Sequence, residues 1–216
     1  MNTSPKVAII DYGLSNLYSI SKALKHFTDN VFITDELSVL NSADAAVLPG
    51  VGAFDEGMKG LRARGLVAGV KEFANSGKPL LGICLGAQLM LTQGHEFGTF
   101  EGLNIIDGEV IKFPELKGAK IPHIGWNKIY PAHKQWSGTI LDTLKQNATM
   151  YFVHSYVLKP KNENNILALC EYGGYEFCSV IQKGQIYGCQ FHPEKSGEDG
   201  VNIIKNFVNL ARKANK

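Results

Sequence analysis

Cysteine is scarce: Cys84, Cys170, Cys178 and Cys189 are the only four in 216 residues. No two stand at C-x-x-C spacing, and no Cys/His cluster has structural-zinc spacing, which excludes a disulfide framework, a redox pair and a zinc knuckle. Long apolar runs are missing as well. The longest are strand-length, too short for a transmembrane helix. Met1 to Lys6 is followed by only a four-residue apolar run before Asp11, too short for a secretory core. A net charge of +2 without any lysine run argues against nucleic acid or an anionic membrane as partner. The basic end, Arg212-Lys213-Ala214-Asn215-Lys216, reads as a solvated helix terminus. No linker, repeat or low-complexity stretch interrupts the chain. The expectation is one cytoplasmic domain spanning 1–216, with no metal and no cofactor.

The apolar material is arranged as alternating strands and helices. Strands are predicted at Lys6–Ile10, Val31–Thr34 and Asp44–Leu48. A helix follows the first, with apolar Leu17, Ile20, Leu24 and Phe27 at helical spacing and Ser15 as its N-cap. One long helix is predicted from Asp55 to Asn75, stopped by Ser76-Gly77-Lys78-Pro79. Pro79–Ile83 reads as a buried parallel strand, and Leu85–Thr92 as a helix. Beyond Gly94 the texture changes to antiparallel strands: two around a turn in Leu103–Ile111, then Lys120–Ile129, Met150–Val157, Ile166–Cys170, Tyr175–Gln182 and Gln185–Phe191. Lys183-Gly184 forms a hairpin turn between the last two, and a helix over about Gly200–Lys213 closes the chain. The fold class is α/β: an open, mixed, mainly parallel sheet flanked by helices, with antiparallel strands in the C-terminal half.

Three motifs carry chemistry. Gly82-Ile83-Cys84-Leu85-Gly86 puts a cysteine where a strand turns sharply into a helix, between small residues that permit a strained elbow. A thiol at that position meets unpaired N–H groups and the positive end of the helix dipole, which favour thiolate. The bland alternative is one more buried cysteine, the reading given to Cys170, Cys178 and Cys189. A cysteine nucleophile needs a base with an orienting partner. Gln190-Phe191-His192-Pro193-Glu194 comes straight off a strand, and residues i and i+2 of an extended segment project to one side. His192 and Glu194 can therefore touch, leaving one ring nitrogen for a thiol. The third motif, Pro49-Gly50-Val51-Gly52, ends a strand with two glycines, a backbone suited to aiming N–H donors at an oxyanion.

In order and in sequence, these motifs resemble the class I (triad) glutamine amidotransferases, most closely the glutaminase subunits of imidazole glycerol phosphate synthase. Asp11-Tyr12-Gly13, Pro122-His123-Ile124-Gly125-Trp126-Asn127 and Tyr151-Phe152-Val153-His154-Ser155-Tyr156 extend the likeness over nearly the whole chain. The resemblance implies a flavodoxin-like topology and a hydrolase reaction coupled to the lyase reaction of a synthase in histidine biosynthesis. Cys84 attacks L-glutamine, His192 activates the thiol and protonates ammonia, and Glu194 orients His192. Oxyanion donors are the backbone N–H groups of Leu85 and of Val51 or Gly52. Gln88 holds the amino-acid end of the substrate, with Gly50, Ser155 and Tyr156 as further substrate-binding candidates. Pro122, His123, Trp126 and Asn127 face the partner and gate the site; the alternative for that segment is a hairpin with one buried Trp. The partner implied is a separate (β/α)8-barrel cyclase in a heterodimer that receives the ammonia. Two positions and one stretch depart from the pattern: Ala87, Ser15 and His95–Phe100. They touch no triad position and bear on the partner, leaving open a paralogous glutaminase feeding another acceptor, such as amidino-sugar synthesis; a stand-alone cysteine hydrolase is a separate alternative.

Overall fold

The computed structural model describes residues 4–116 and 118–214. The leader reading of Met1–Thr3 and the last two residues of the basic end lie outside them. In chain order the first half comprises β1 (Val7–Ile10), α1 (Leu17–Lys25), β2 (Val31–Thr34), α2 (Leu37–Asn41), β3 (Ala45–Gly50), α3 (Phe54–Ala63), α4 (Leu66–Asn75), β4 (Leu80–Cys84) and α5 (Leu85–Leu89). Then come β5 (Gln93–Gly94), β6 (Phe100–Glu101), β7 (Gly108–Lys112), β8 (His123–Pro131), β9 (Thr149–His154), β10 (Tyr156–Pro160), β11 (Ile166–Tyr172), β12 (Tyr175–Lys183), β13 (Ile186–Cys189) and α6 (Gly197–Ala214).

The parallel core runs β2-β1-β3-β4-β13, the flavodoxin-like order. From β13 the sheet continues antiparallel through β12 and β10 to β7, while β11, β8 and β9 branch from β12. Successive residues of a strand face opposite sides, so Val7 and Ile9 pack against α1 and α6 while Ala8 and Ile10 pack against α3 and α4. Because both faces are covered, β1, β3 and β4 read as continuous apolar runs, whereas the edge strand β2 leaves Phe32 and Ile33 exposed.

Several local expectations are corrected. The single helix over 55–75 is two, broken where Gly65 adopts left-handed geometry at φ 67°. Asn16, not Ser15, caps α1: its side chain accepts from Ser19 N, while Ser15 Oγ donates to the Pro49 carbonyl. The helix after Cys84 ends at Leu89, and only β7 forms within Leu103–Ile111. The strand predicted over 150–157 is broken at Ser155 into β9 and β10, which pair with different neighbours. The short α2, β5 and β6 have no periodicity long enough to be read. Cys170, Cys178 and Cys189 are buried free thiols, and burial pushes Cys170 up to about 12.

Gly86 packs its Cα against the carboxyl half of β3. A Cβ there would stand 1.7 Å from the Leu48 carbonyl oxygen, so the backbone itself has to move. Gly86→Ala is expected to lower the unfolding free energy by about 2–3 kcal/mol, measured by urea denaturation.

Candidate active site

Cys84 is the last residue of β4 and stands at φ 51°, ψ −112°, a conformation sparsely populated by non-glycine residues. That strain lifts the side chain out of the strand path at the mouth of the sheet. β3 and β4 are in register with Gly50 opposite Cys84, and β13 lies on the other side with Cys189 opposite Ile83. The chain leaving β13 therefore delivers Gln190 and His192 to the same edge.

His192 is fixed through its backbone. Its N–H donates to the Tyr151 carbonyl at 3.0 Å, and its own carbonyl accepts from Ser196 Oγ at 2.6 Å. That same hydroxyl accepts from Tyr151 N at 3.0 Å, tying the turn to β9. His192 itself is extended, but Pro193–Lys195 is a 3-10 turn rather than continued strand. The turn brings Glu194 back, with its Oε1 2.9 Å from His192 Nδ1 and both side chains almost out of solvent. Nε2 is buried and has no hydrogen-bond partner among the described residues, and His192 shares the lining of one cavity with Cys84. Burial works to lower the imidazole pKa, but Cys84 and Glu194 outweigh it and hold it up to about 9.

A cavity of about 510 Å³ is lined by Val51 to Ala53, Cys84, Leu85, Gln88, Glu96, Pro122, Val153 to Tyr156 and His192. Val51 N–H is engaged, donating to the Leu14 carbonyl at 2.9 Å. Gly52, at φ 106°, has open space around it. Gly50 is buried beneath, where the Tyr12 hydroxyl occupies the space a Cβ would need, and it does not line the cavity. A larger groove of about 720 Å³ lies along β7 and β10. Of the four cysteines it is lined only by the buried Cys178, and its charges include the Lys159–Glu109 and Lys161–Asp107 pairs.

Two polar residues of the site escaped the sequence reading. Glu96 lines the cavity and accepts from Phe54 N at 2.8 Å, so a remote carboxylate caps α3. It sits in the stretch His95–Phe100 that departs from the family pattern, which hid it. Gln190 is fully buried between Gln88 and Cys84, within a motif whose histidine drew the attention.

Strand alternation divides the Pro122–Asn127 segment. Pro122 lines the cavity. His123 is only 1% exposed, stacked on Phe152 and Tyr172 with its Nδ1 3.1 Å from His154 Nε2. It is thus turned away from any partner. Burial pushes His123 down to about 4 and His154 to about 3, so both rings are neutral at physiological pH. Ile124 and Trp126 point outward, 59% and 54% exposed, and Asn127 donates to the Glu171 carbonyl. An exposed Trp126 does not fit the hairpin with a buried Trp.

The family described as glutamine amidotransferase class-I matches residues 8–210. A Legionella pneumophila protein (strain Paris), imidazole glycerol phosphate synthase subunit HisH 1, is 46% identical over 210 residues, spanning 94% of this chain and 99% of its own length. The HisH subunit of Moorella thermoacetica is 43% identical over 209 residues, spanning 96% of each chain. Among solved structures, PurLQS from Thermotoga maritima matches with a TM-score of 0.70 at 17% identity, covering 96% of this chain and 99% of that one. At that identity the likeness concerns the fold alone. By the family model and its sequence relatives, the chain belongs to the class I glutamine amidotransferase family.

Proposed function

We propose that the chain is the glutaminase subunit of an imidazole glycerol phosphate synthase, with Cys84, His192 and Glu194 as its triad. The observation that carries this reading is His192 held at Nδ1 by Glu194, 2.9 Å away, with Nε2 left for Cys84 at a strained elbow. Nε2 takes the thiol proton before the attack, and Cys84 Sγ then adds as the thiolate to the side-chain amide carbon of glutamine. Collapse of the tetrahedral adduct breaks the C–N bond, and His192 returns its proton to the departing ammonia. Water, deprotonated by His192, then cleaves the thioester and releases glutamate.

The N–H groups of Leu85 and Gly52 are the oxyanion donors of this arrangement. Val51 joins them only when its bond to Leu14 is broken. Both amide hydrogens of Gln88 point at protein acceptors, the Tyr156 carbonyl and Gln190 Oε1. Its own Oε1 is the atom left for the substrate ammonium group, with the Glu96 carboxylate supplying negative charge and Ser155 and Tyr156 the wall. Ammonia protonates in bulk water, so the reaction is useful only beside an acceptor. The outward Ile124 and Trp126, with the exposed Val51, form the face for a (β/α)8-barrel cyclase in a cytoplasmic heterodimer. This chain carries the hydrolase half, and the lyase half belongs to that other subunit.

Ammonia release from glutamine, measured with and without a histidine-pathway cyclase and its ligand, tests the assignment. Stimulation by that cyclase is expected; stimulation only by a sugar-modifying synthetase, or full turnover alone, contradicts it. His192→Gln is expected to lower kcat by about 10²–10⁴-fold, and Cys84→Ala to abolish both turnover and covalent labelling by a glutamine-like diazoketone. Trp126→Ala is expected to weaken cyclase binding by about tenfold, read by titration calorimetry.

The raised pKa of His192 also makes stability depend on pH. Its protonated form is favoured in the folded chain, with 6.5 as the ordinary value and about 9 in place. The resulting stabilisation is complete below 6.5 and disappears as pH rises through about 9. It amounts to roughly 3 kcal/mol across that window. Glu194→Gln removes one of the two groups holding the proton, so urea unfolding is expected to show a shallower loss of stability over the same range.

A further inference from the structure

Gln190 lies between the substrate-side Gln88 and the nucleophile. Its Oε1 is 3.2 Å from Gln88 Nε2, and its Nε2 is 4.0 Å from Cys84 Sγ. Which way round the two amides point is settled by a backbone group. The Tyr156 carbonyl can only accept, so the Gln88 atom 3.3 Å from it is the amide nitrogen. The second hydrogen of that nitrogen faces Gln190, so the Gln190 atom meeting it is oxygen. Nitrogen is then what remains on the sulfur side. The carbonyl at the root of this chain is itself doubly held, because His154 Nδ1 also donates to it at 2.8 Å.

We infer that Gln190 is a further catalytic side chain, a fixed N–H donor aimed at the Cys84 sulfur that favours the thiolate and holds it at one angle. The inference rests on Cys84 being the nucleophile, as proposed above. A thiolate accepts an N–H bond better than a neutral thiol does, and the thiolate is the attacking species. Gln190 is completely buried and emerges from β13 in register with β4, so the donor cannot drift toward water. His192 and Gln190 thus approach one sulfur from the same strand end with different tasks. The imidazole exchanges the proton, whereas the amide carries none away and serves only as a directed dipole.

Two substitutions separate donation from packing. Gln190→Met keeps length and apolar volume but has no N–H. Gln190→Glu keeps an acceptor for Gln88 and turns an oxygen toward the sulfur. The first readout is the rate of iodoacetamide alkylation at Cys84 at neutral pH, followed by mass spectrometry on the full chain. The expected losses are about tenfold for Gln190→Met and larger for Gln190→Glu, with kcat falling in parallel and KM changing less than about twofold. A folded Gln190→Met chain that alkylates and turns over at the unsubstituted rate overturns the inference. A measurement on the unsubstituted chain covers the case in which the variants do not fold. The Gln190 side-chain amide resonance is expected to shift when Cys84 is alkylated, and an unmoved resonance overturns the inference equally. Cys84→Ala retaining turnover would bring down the active-site reading itself, whereas an inert Gln190→Met beside a dead Cys84→Ala brings down this inference alone.

Discussion

Parallel pairing in register carries β3, β4 and β13 to a common carboxyl edge, with Gly50 beside Cys84 and Cys189 beside Ile83. Each strand hands over a different component at that edge: a glycine-containing loop, a cysteine at an elbow, and a polar segment ending in His-Pro-Glu. A one-residue slip of β13 would turn its inward side chains to the opposite face of the sheet and take His192 with them. Register is held by apolar side chains buried on both faces, so packing of the two cores and alignment of the site are one constraint.

The closeness of that packing also explains the glycines of the elbow. Gly86 is pressed against the Leu48 carbonyl and Gly82 against the backbone of Ala87, distances that no side chain fits. With α5 held so tightly, Cys84 retains a backbone conformation that an isolated chain would abandon, since strain of this kind persists only where surrounding structure over-determines it. The polar atoms at the edge are organised in the same spirit. Ser196 bridges His192 and Tyr151, Gln88 bridges Tyr156 and Gln190, and His154 bridges Tyr156 and His123. Each of these bridging side chains has partners that also fix its direction in a site of low dielectric.

The antiparallel wing divides its labour by strand alternation. On β8, the inward His123 joins the buried aromatic cluster of Phe113, Phe152 and Phe177, while the outward Ile124 and Trp126 form an apolar surface beside the cavity. One stretch of backbone therefore reaches both the cavity, through Pro122, and the exposed apolar surface, through Ile124 and Trp126, with Trp126 paired to Tyr151 on β9.

Much was legible from residues alone, because short-range chemistry specified it. Apolar runs bounded by glycine and proline marked the parallel strands, the small residues around Cys84 marked an elbow, and the two-residue interval from His192 to Glu194 marked a pair in reach. What needed the tertiary structure was everything set by distant segments. The break at Gly65 and the division of the 150–157 strand depend on what packs against them. The inward turn of His123, the approach of Glu96 to α3 and the capture of Val51 by Leu14 depend on neighbours far away in the chain. The orientation of Gln190 toward Cys84, across 106 positions, depends on a carbonyl in a third strand. Local patterns report which way a side chain can point; only the packed sheet decides what it meets there.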